Sequence, residues 1–167
     1  RFFPRQKIVF TGNPIRNGVE GLVAKSEESL KFFGLDPAKP VVLVVGGSLG
    51  ARSLNNALRS RMELIRASDV QFVWQTGKIY YHDIKGEIDV NPAGNVHLLE
   101  FIQRMDLAFS AADLVISRAG AGTISELCVV GKPVILVPSP NVAEDHQTAN
   151  AKALVDRGAA VLIKDAE

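Results

Sequence analysis

The feature that most constrains this chain is a repeated alternation. Short apolar runs rich in β-branched residues are each followed by a turn, usually with glycine, and then by a stretch of helical periodicity. Strands are predicted at Ile8–Thr11, Val41–Val45, Val70–Gln75, Val96–Leu99, Leu114–Ser117, Val134–Val137 and Ala160–Ile163. Most are apolar throughout rather than alternating, as expected of strands covered by helices on both faces. Helices are predicted at Ala51–Ile65, Lys78–Ile88, Gln103–Ala111, Thr123–Val130 and His146–Arg157, with Gly131 and Gly158 as C-terminal stops. The charged, turn-rich stretch from Lys85 to Asn95 reads as a surface loop. An order of this kind predicts an α/β fold with a doubly wound parallel sheet and right-handed crossovers.

With 167 residues, 47% of them hydrophobic, the chain can bury one core and is too short for two ordinary domains. It opens on Arg1 rather than Met and stops at Glu167 without a closing turn, so it reads as a piece of something longer. Nineteen basic residues against 18 acidic ones leave no broad basic face for phosphate neutralisation, which argues against nucleic acid as a partner. The longest apolar run, Val41 to Val45, is far below the ~20 residues of a membrane-spanning helix, so the fragment is expected to be soluble. The opening Arg1 to Lys7 mixes bases with aromatics and could touch a lipid surface, but residues 1–6 are read as an interdomain linker. Cys128, inside the apolar run Ile124 to Val130, is expected to be a buried, inert thiol.

In a doubly wound sheet, ligands bind beyond the carboxyl ends of the strands. After Val41–Val45 comes Gly46-Gly47-Ser48-Leu49-Gly50-Ala51, opening a helix whose free N–H groups and positive dipole end suit an anion. It lacks the Gly-Lys-Ser/Thr ending of a Walker A loop. A dinucleotide site would also want an acid after the next strand, where Gln75-Thr76-Gly77 stands, so NAD is disfavoured. A second glycine-rich turn, Gly120-Ala121-Gly122-Thr123, follows Leu114–Ser117, with Ser125 and Glu126 about one turn in. Glu126 is open to two readings, a solvated acid on a capped helix or a ligand contact. Two helix N-termini on one sheet edge suit a diphosphate with a sugar on either side. Arg16 could carry a guanidinium to that edge or lie exposed without a role. His146 is open to three readings: a helix-start polar residue, a sugar contact or an acid/base. His82 and His97 are read as structural or exposed. The acid-x-acid triplet Glu87-Ile88-Asp89 lies away from the strand ends, so no metal site is expected. No nucleophile elbow or Cys/His pairing is present, which leaves charge stabilisation at a diphosphate leaving group as the chemistry.

Five stretches then carry a resemblance across essentially the whole chain. They are Thr11 to Arg16, Gly46 to Ala51, Glu100-Phe101-Ile102, Ser117 to Glu126, and Asp145-His146-Gln147-Thr148-Ala149-Asn150-Ala151. Together they resemble the MurG family of GlcNAc transferases. The resemblance implies a GT-B fold, two Rossmann-like domains facing a cleft, with residues 1–167 as the C-terminal, UDP-GlcNAc-binding domain and the N-terminal acceptor domain absent. It further implies that Arg16 and Ser48 meet the diphosphate and that the backbone at Ile102 reads the uracil edge. Ala121, Gly122 and Thr123 would line phosphate and sugar. Glu126 would bind the ribose diol, and Gln147 with His146 the GlcNAc hydroxyls. Gly46, Gly47, Gly50 and Gly120 shape the phosphate loops. Where Leu49 stands the family usually has Gln, so a side-chain contact from that position is not carried over.

The implied activity of the complete enzyme is inverting GlcNAc transfer to lipid I, giving lipid II in peptidoglycan synthesis, on the cytoplasmic face of the inner membrane. The partners are UDP-GlcNAc here, and lipid I and the membrane surface through the other domain. No cofactor and no catalytic residue are assigned to this chain, which is expected to bind the donor without turning it over. Two other readings stand beside this one: the donor-binding subunit of a two-subunit lipid-linked GlcNAc transferase, and a non-enzymatic nucleotide-binding regulator.

Overall fold

The computed structural model describes residues 4–9, 11–140 and 145–165. A turn of 3-10 helix at Arg5–Lys7 precedes a strand-helix alternation. Its elements are α1 (Glu27–Phe33), β1 (Val41–Val45), α2 (Arg52–Ser60), α3 (Met62–Arg66), β2 (Gln71–Gln75), α4 (Tyr81–Val90) and β3 (Val96–Leu99). There follow α5 (Met105–Ala111), β4 (Leu114–Ser117), α6 (Ala121–Val130), β5 (Val134–Leu136), α7 (His146–Val155) and β6 (Val161–Leu162). The six strands form one sheet in the order β3-β2-β1-β4-β5-β6, and every pairing is parallel.

Successive side chains on a strand point to opposite faces, and both faces are covered. Val41 and Leu43 of β1 and Val73 of β2 join a core closed by α1, α5, α6 and α7, with Phe33, Phe109, Leu127 and Ala151 buried in it. Val44 of β1 and Trp74 of β2 face the other way, against Ile84 of α4 and Leu58 of α2. Apolar residues are therefore needed on both sides of each central strand, which explains the unbroken Val-Val-Leu-Val-Val run. The buried indole of Trp74 donates to Asn55 Oδ1 at 3.0 Å, and Asn55 Nδ2 donates to the Thr76 carbonyl at 2.9 Å. That chain of bonds satisfies the polar atoms and fixes α2 against the end of β2.

Several boundaries differ from the sequence expectations. Ile8, Val9 and Thr11 lie outside the sheet, and Ile8 and Val9 are exposed; Phe10 falls outside the described residues. The predicted helix Ala51–Ile65 is two helices separated at Arg61, whose φ of −117° breaks the α geometry. Residues 85–90 of the expected loop belong to α4. Helix α1 was not anticipated: Ser26 caps it by accepting from Ser29 N at 3.2 Å, and left-handed Gly34 ends it. Cys128 is exposed rather than buried, because α6 turns Glu126 and Leu127 inward and leaves Cys128 and Val129 outside. Among the described residues no helix is long and apolar enough to cross a membrane.

Candidate functional site

The strand order reverses between β1 and β4, and a cleft of about 840 Å³ opens there beyond the carboxyl ends of the strands. One wall is apolar, made by Phe101 after β3 and by Met105 and Phe109 of α5. At the start of that helix Arg104 Nε and Nη2 hold both Asp106 carboxylate oxygens at 2.7–3.1 Å. The Arg104 hydrogen bond keeps the Asp106 carboxyl below its ordinary pKa.

The facing wall is polar. Helices α2 and α6 start at the cleft with Ala51 and Gly120 as N-caps, and neither has a side-chain cap bond. Their first N–H groups and positive dipole ends are thus available to an anion. Packing requires glycine at one point of this wall. Gly50 has φ +83°, and a Cβ there would meet the Thr76 carbonyl oxygen at 2.1 Å. Gly77 presses on it from the other side, its own Cβ position 2.2 Å from Gly50 N. The loops after β1 and β2 therefore touch backbone to backbone.

Of the residues singled out in the sequence, Arg16, Gly46, Gly47, Ser48, Gly50, Gly120, Thr123, Glu126 and Gln147 line this cleft. Arg16 Nε lies 3.4 Å from Glu126 Oε1, with Arg16 half exposed and the Glu126 carboxylate nearly buried, so the expected phosphate ligand and the expected ribose ligand pair with each other. Gln147 Oε1 accepts from Ser139 N at 2.9 Å and Ala119 N at 3.3 Å, tying the loops after β4 and β5 together. Ile102 is buried behind the cleft, and its N–H already donates to Gln75 Oε1 at 2.9 Å. A base edge read through that N–H would compete with Gln75. Ala121 and Gly122 are exposed in the first turn of α6. Ser125 is engaged by Asn13 Nδ2 at 3.0 Å, which straps residues near Arg16 over α6. His146 is exposed at the start of α7 and outside the cleft lining, while Asn141 to Glu144 before it fall outside the described residues. Leu49 is 68% exposed on its loop.

The sequence reading missed a second group. Arg118 Nη1 donates to the Val137 and Pro138 carbonyls at 3.0 and 3.1 Å and to Asp165 Oδ1 at 2.6 Å, while Nη2 donates to Ser53 at 2.9 Å. Ser53 in turn donates to Asp165. Arg118 stands directly after β4 on the ligand edge, and that placement is the signal by which the sequence could have singled it out. Among the described residues no group of three or more His, Cys, Asp or Glu could hold a metal ion.

Comparison with known proteins gives this architecture its class. The chain is a Rossmann-like α/β domain of the GT-B glycosyltransferases, on the C-terminal side of their cleft. It belongs to glycosyltransferase family 28, whose C-terminal domain model matches residues 41–167. A relative from Parabacteroides distasonis, named UDP-N-acetylglucosamine--N-acetylmuramyl-(pentapeptide) pyrophosphoryl-undecaprenol N-acetylglucosamine transferase, is 59% identical over 100% of the chain and 46% of its own length. A protein of the same name from Phocaeicola vulgatus is 54% identical over 99% of the chain and 44% of its own length. The crystal structure of MurG from Acinetobacter baumannii superposes with a TM-score of 0.70 at 30% identity, covering 98% of this chain and 46% of that one. The chain thus spans about half the length of the curated relatives it matches.

Proposed function

We propose that this chain binds UDP-N-acetylglucosamine and is the donor half of an inverting transferase that converts lipid I to lipid II in peptidoglycan synthesis. The observation that carries the reading is one cleft holding two uncapped helix N-termini, a nearly buried carboxylate and an apolar wall. Those features match a diphosphate, a ribose diol and a base respectively. The names of the relatives supply the sugar and the acceptor.

In this reading Ser48 and the helix N-termini of α2 and α6 take the diphosphate, and Arg16 leaves Glu126 to join them. Glu126 then accepts from the two ribose hydroxyls. The base lies against Phe101 and Met105 next to Ile102, and Gln147, its Oε1 engaged, donates Nε2 to a GlcNAc hydroxyl. The acceptor hydroxyl attacks the anomeric carbon, its proton passes to a base on the facing domain, and the sugar-phosphate C–O bond breaks to release UDP. This half stabilises the charge on the leaving diphosphate. Residues 1–6 form the linker to the acceptor domain. That domain would carry the contacts with lipid I and with the cytoplasmic face of the membrane.

Parallel calorimetry with UDP-GlcNAc, UDP-glucose, GDP-mannose and NAD tests the proposal, run once with chelator and once with magnesium or manganese added. UDP-GlcNAc should bind most tightly, without a divalent ion. Binding that needs magnesium or manganese, or equal affinity for NAD, would overturn it. No GlcNAc should pass to a lipid I analogue from the chain alone, because the acceptor has nothing to orient it.

A further inference from the structure

We infer that Gln75 is a positioning residue for the donor. Its side chain fixes the distance between the phosphate loop after β1 and the loop after β3, so that one nucleotide diphosphate reaches both. This rests on the donor-site reading above and adds a residue to which that reading gives no role.

The basis is topological. Strand β2 lies between β1 and β3, and Gln75 is its last residue. Neighbouring strands run about 4.8 Å apart, so a side chain at the end of the middle strand can touch both flanking loops. Gln75 does so from a buried position, 2% exposed. Its Nε2 donates to the Gly47 carbonyl at 2.9 Å, and its Oε1 accepts from Ile102 N at 2.9 Å. The Gly47 carbonyl also accepts from Gly50 N at 3.1 Å, so the same oxygen closes the phosphate turn and anchors it to β2. An amide supplies the required donor and acceptor on one planar group of this length. Ionised glutamate offers acceptors only, and leucine offers neither.

The consequence concerns a ligand held at two ends. Binding at the second end benefits from an effective concentration set by how well the two subsites match the ligand's span. Freeing the loops lowers that benefit and adds their ordering to the cost of binding, while each subsite keeps its own contacts. Loss of the clamp should therefore weaken whole UDP and spare its parts.

The test is NMR titration of the chain, Gln75→Leu and Gln75→Glu with UDP, uridine and inorganic pyrophosphate at pH 7.5 and 5.5. Gln75→Leu should weaken UDP at least about tenfold and weaken uridine and pyrophosphate by no more than about twofold. Gln75→Glu should be equally impaired at pH 7.5 and recover toward wild type at pH 5.5. Burial and the facing Gly47 carbonyl raise this carboxyl above its ordinary range, and once protonated it can donate to Gly47 and accept from Ile102, a recovery that loss of packing would not produce. Equal losses for UDP and both fragments, or no loss for UDP, overturn the clamp. If Gln75→Leu does not fold, the pH comparison of Gln75→Glu with wild type decides, and absence of recovery overturns it. If the wild-type chain fails to bind UDP, the donor-site reading falls and the clamp with it. If wild type binds and Gln75→Leu binds as well, the clamp alone falls.

Discussion

The two ends of β2 carry the same residue in opposite circumstances. Gln71, at the amino end, spends both amide groups on one partner: its Oε1 accepts from Asp36 N at 2.8 Å and its Nε2 donates to the Asp36 carbonyl at 3.0 Å. Gln75, at the carboxyl end, divides the same two groups between Gly47 and Ile102. Both are at least 95% buried, so neither amide could be left unsatisfied without cost. At the amino edge both amide groups of Gln71 answer one neighbour, at the rim of a shallow pocket. The carboxyl edge uses its polar groups to hold separate loops apart around a space. A ligand site differs from a fold contact here in what the hydrogen bonds join, not in which residues make them.

Glycines at the two edges give the largest contrast. Gly50 combines a positive φ with a Cβ position 2.1 Å from a carbonyl oxygen, whereas nothing lies within 4 Å of a Cβ on Gly94, beside the amino-edge pocket. Gly50→Ala should cost roughly 3 kcal/mol of stability or more and abolish UDP binding. Gly94→Ala should stay within about 0.5 kcal/mol and bind UDP normally. Denaturant unfolding and calorimetry on the two variants check this. Similar losses at both positions would end the distinction between the edges.

Next in size is Gln71 itself. Gln71→Leu removes two hydrogen bonds to the backbone of the exposed Asp36 and should destabilise the chain by about 2 kcal/mol, at about 1 kcal/mol for each bond. UDP affinity at a temperature where the variant is folded should be unchanged. Weaker UDP binding in this variant would show that the amino edge reaches the cleft and that the contrast between the two glutamines is false.

Much of this was legible in the sequence, and what was not has a physical cause. The bounds of β1, β3 and β4 were read correctly, and for the central strands β1 and β4 the cause is cover on both faces, which calls for apolar residues almost throughout. The glycine-rich turns identified the ligand edge because each follows a strand and opens a helix. The roles of Gln75 and Arg118 were not legible. Their bonds join residues 19 to 65 positions apart, and such pairings exist only once the strand order is known. Ile8 and Val9 have strand composition yet lie outside the sheet, since β propensity creates no ladder without a neighbour. Helix α1 has its own local signals, Ser26 at its start and Gly34 at its end, on a segment of seven residues, about two turns.

Glu126 sharpens the comparison inside the cleft. If its carboxylate serves the ribose, Glu126→Ala should weaken UDP by at least about tenfold, or ~1.4 kcal/mol. It should also lose the wild-type preference for UDP over 2′-deoxy-UDP. Both nucleotides carry the same diphosphate, so the phosphate wall drops out of the comparison. Equal wild-type affinities for the two would leave Glu126 as the partner of Arg16 and nothing more.

The smallest effect belongs to the amino edge and is a matter of pH. His97 of β3 is half-buried in the shallow pocket that also contains Asp36, Lys39, Arg66 and Asp69, and burial lowers its pKa below the ordinary 6.5. A lowered base pKa means that the unfolded chain takes up the proton first as the pH falls. Between 6.5 and the lower folded value, the unfolded state binds more protons than the native one, so stability declines as pH drops through that window. Below the folded value both states are protonated and the decline from this group stops. His97→Gln removes the titration, so the stability difference between wild type and variant should shift against wild type on going from pH 7.5 to 5.5. UDP affinity should respond to pH in the same way in both proteins, because His97 lies at the opposite end of the strands from the cleft. Urea midpoints at the two pH values measure the first, and calorimetry the second. A stability difference that does not change with pH would remove His97 as a titrating group, and a pH-dependent difference in UDP affinity would join the two edges that every other contact keeps apart.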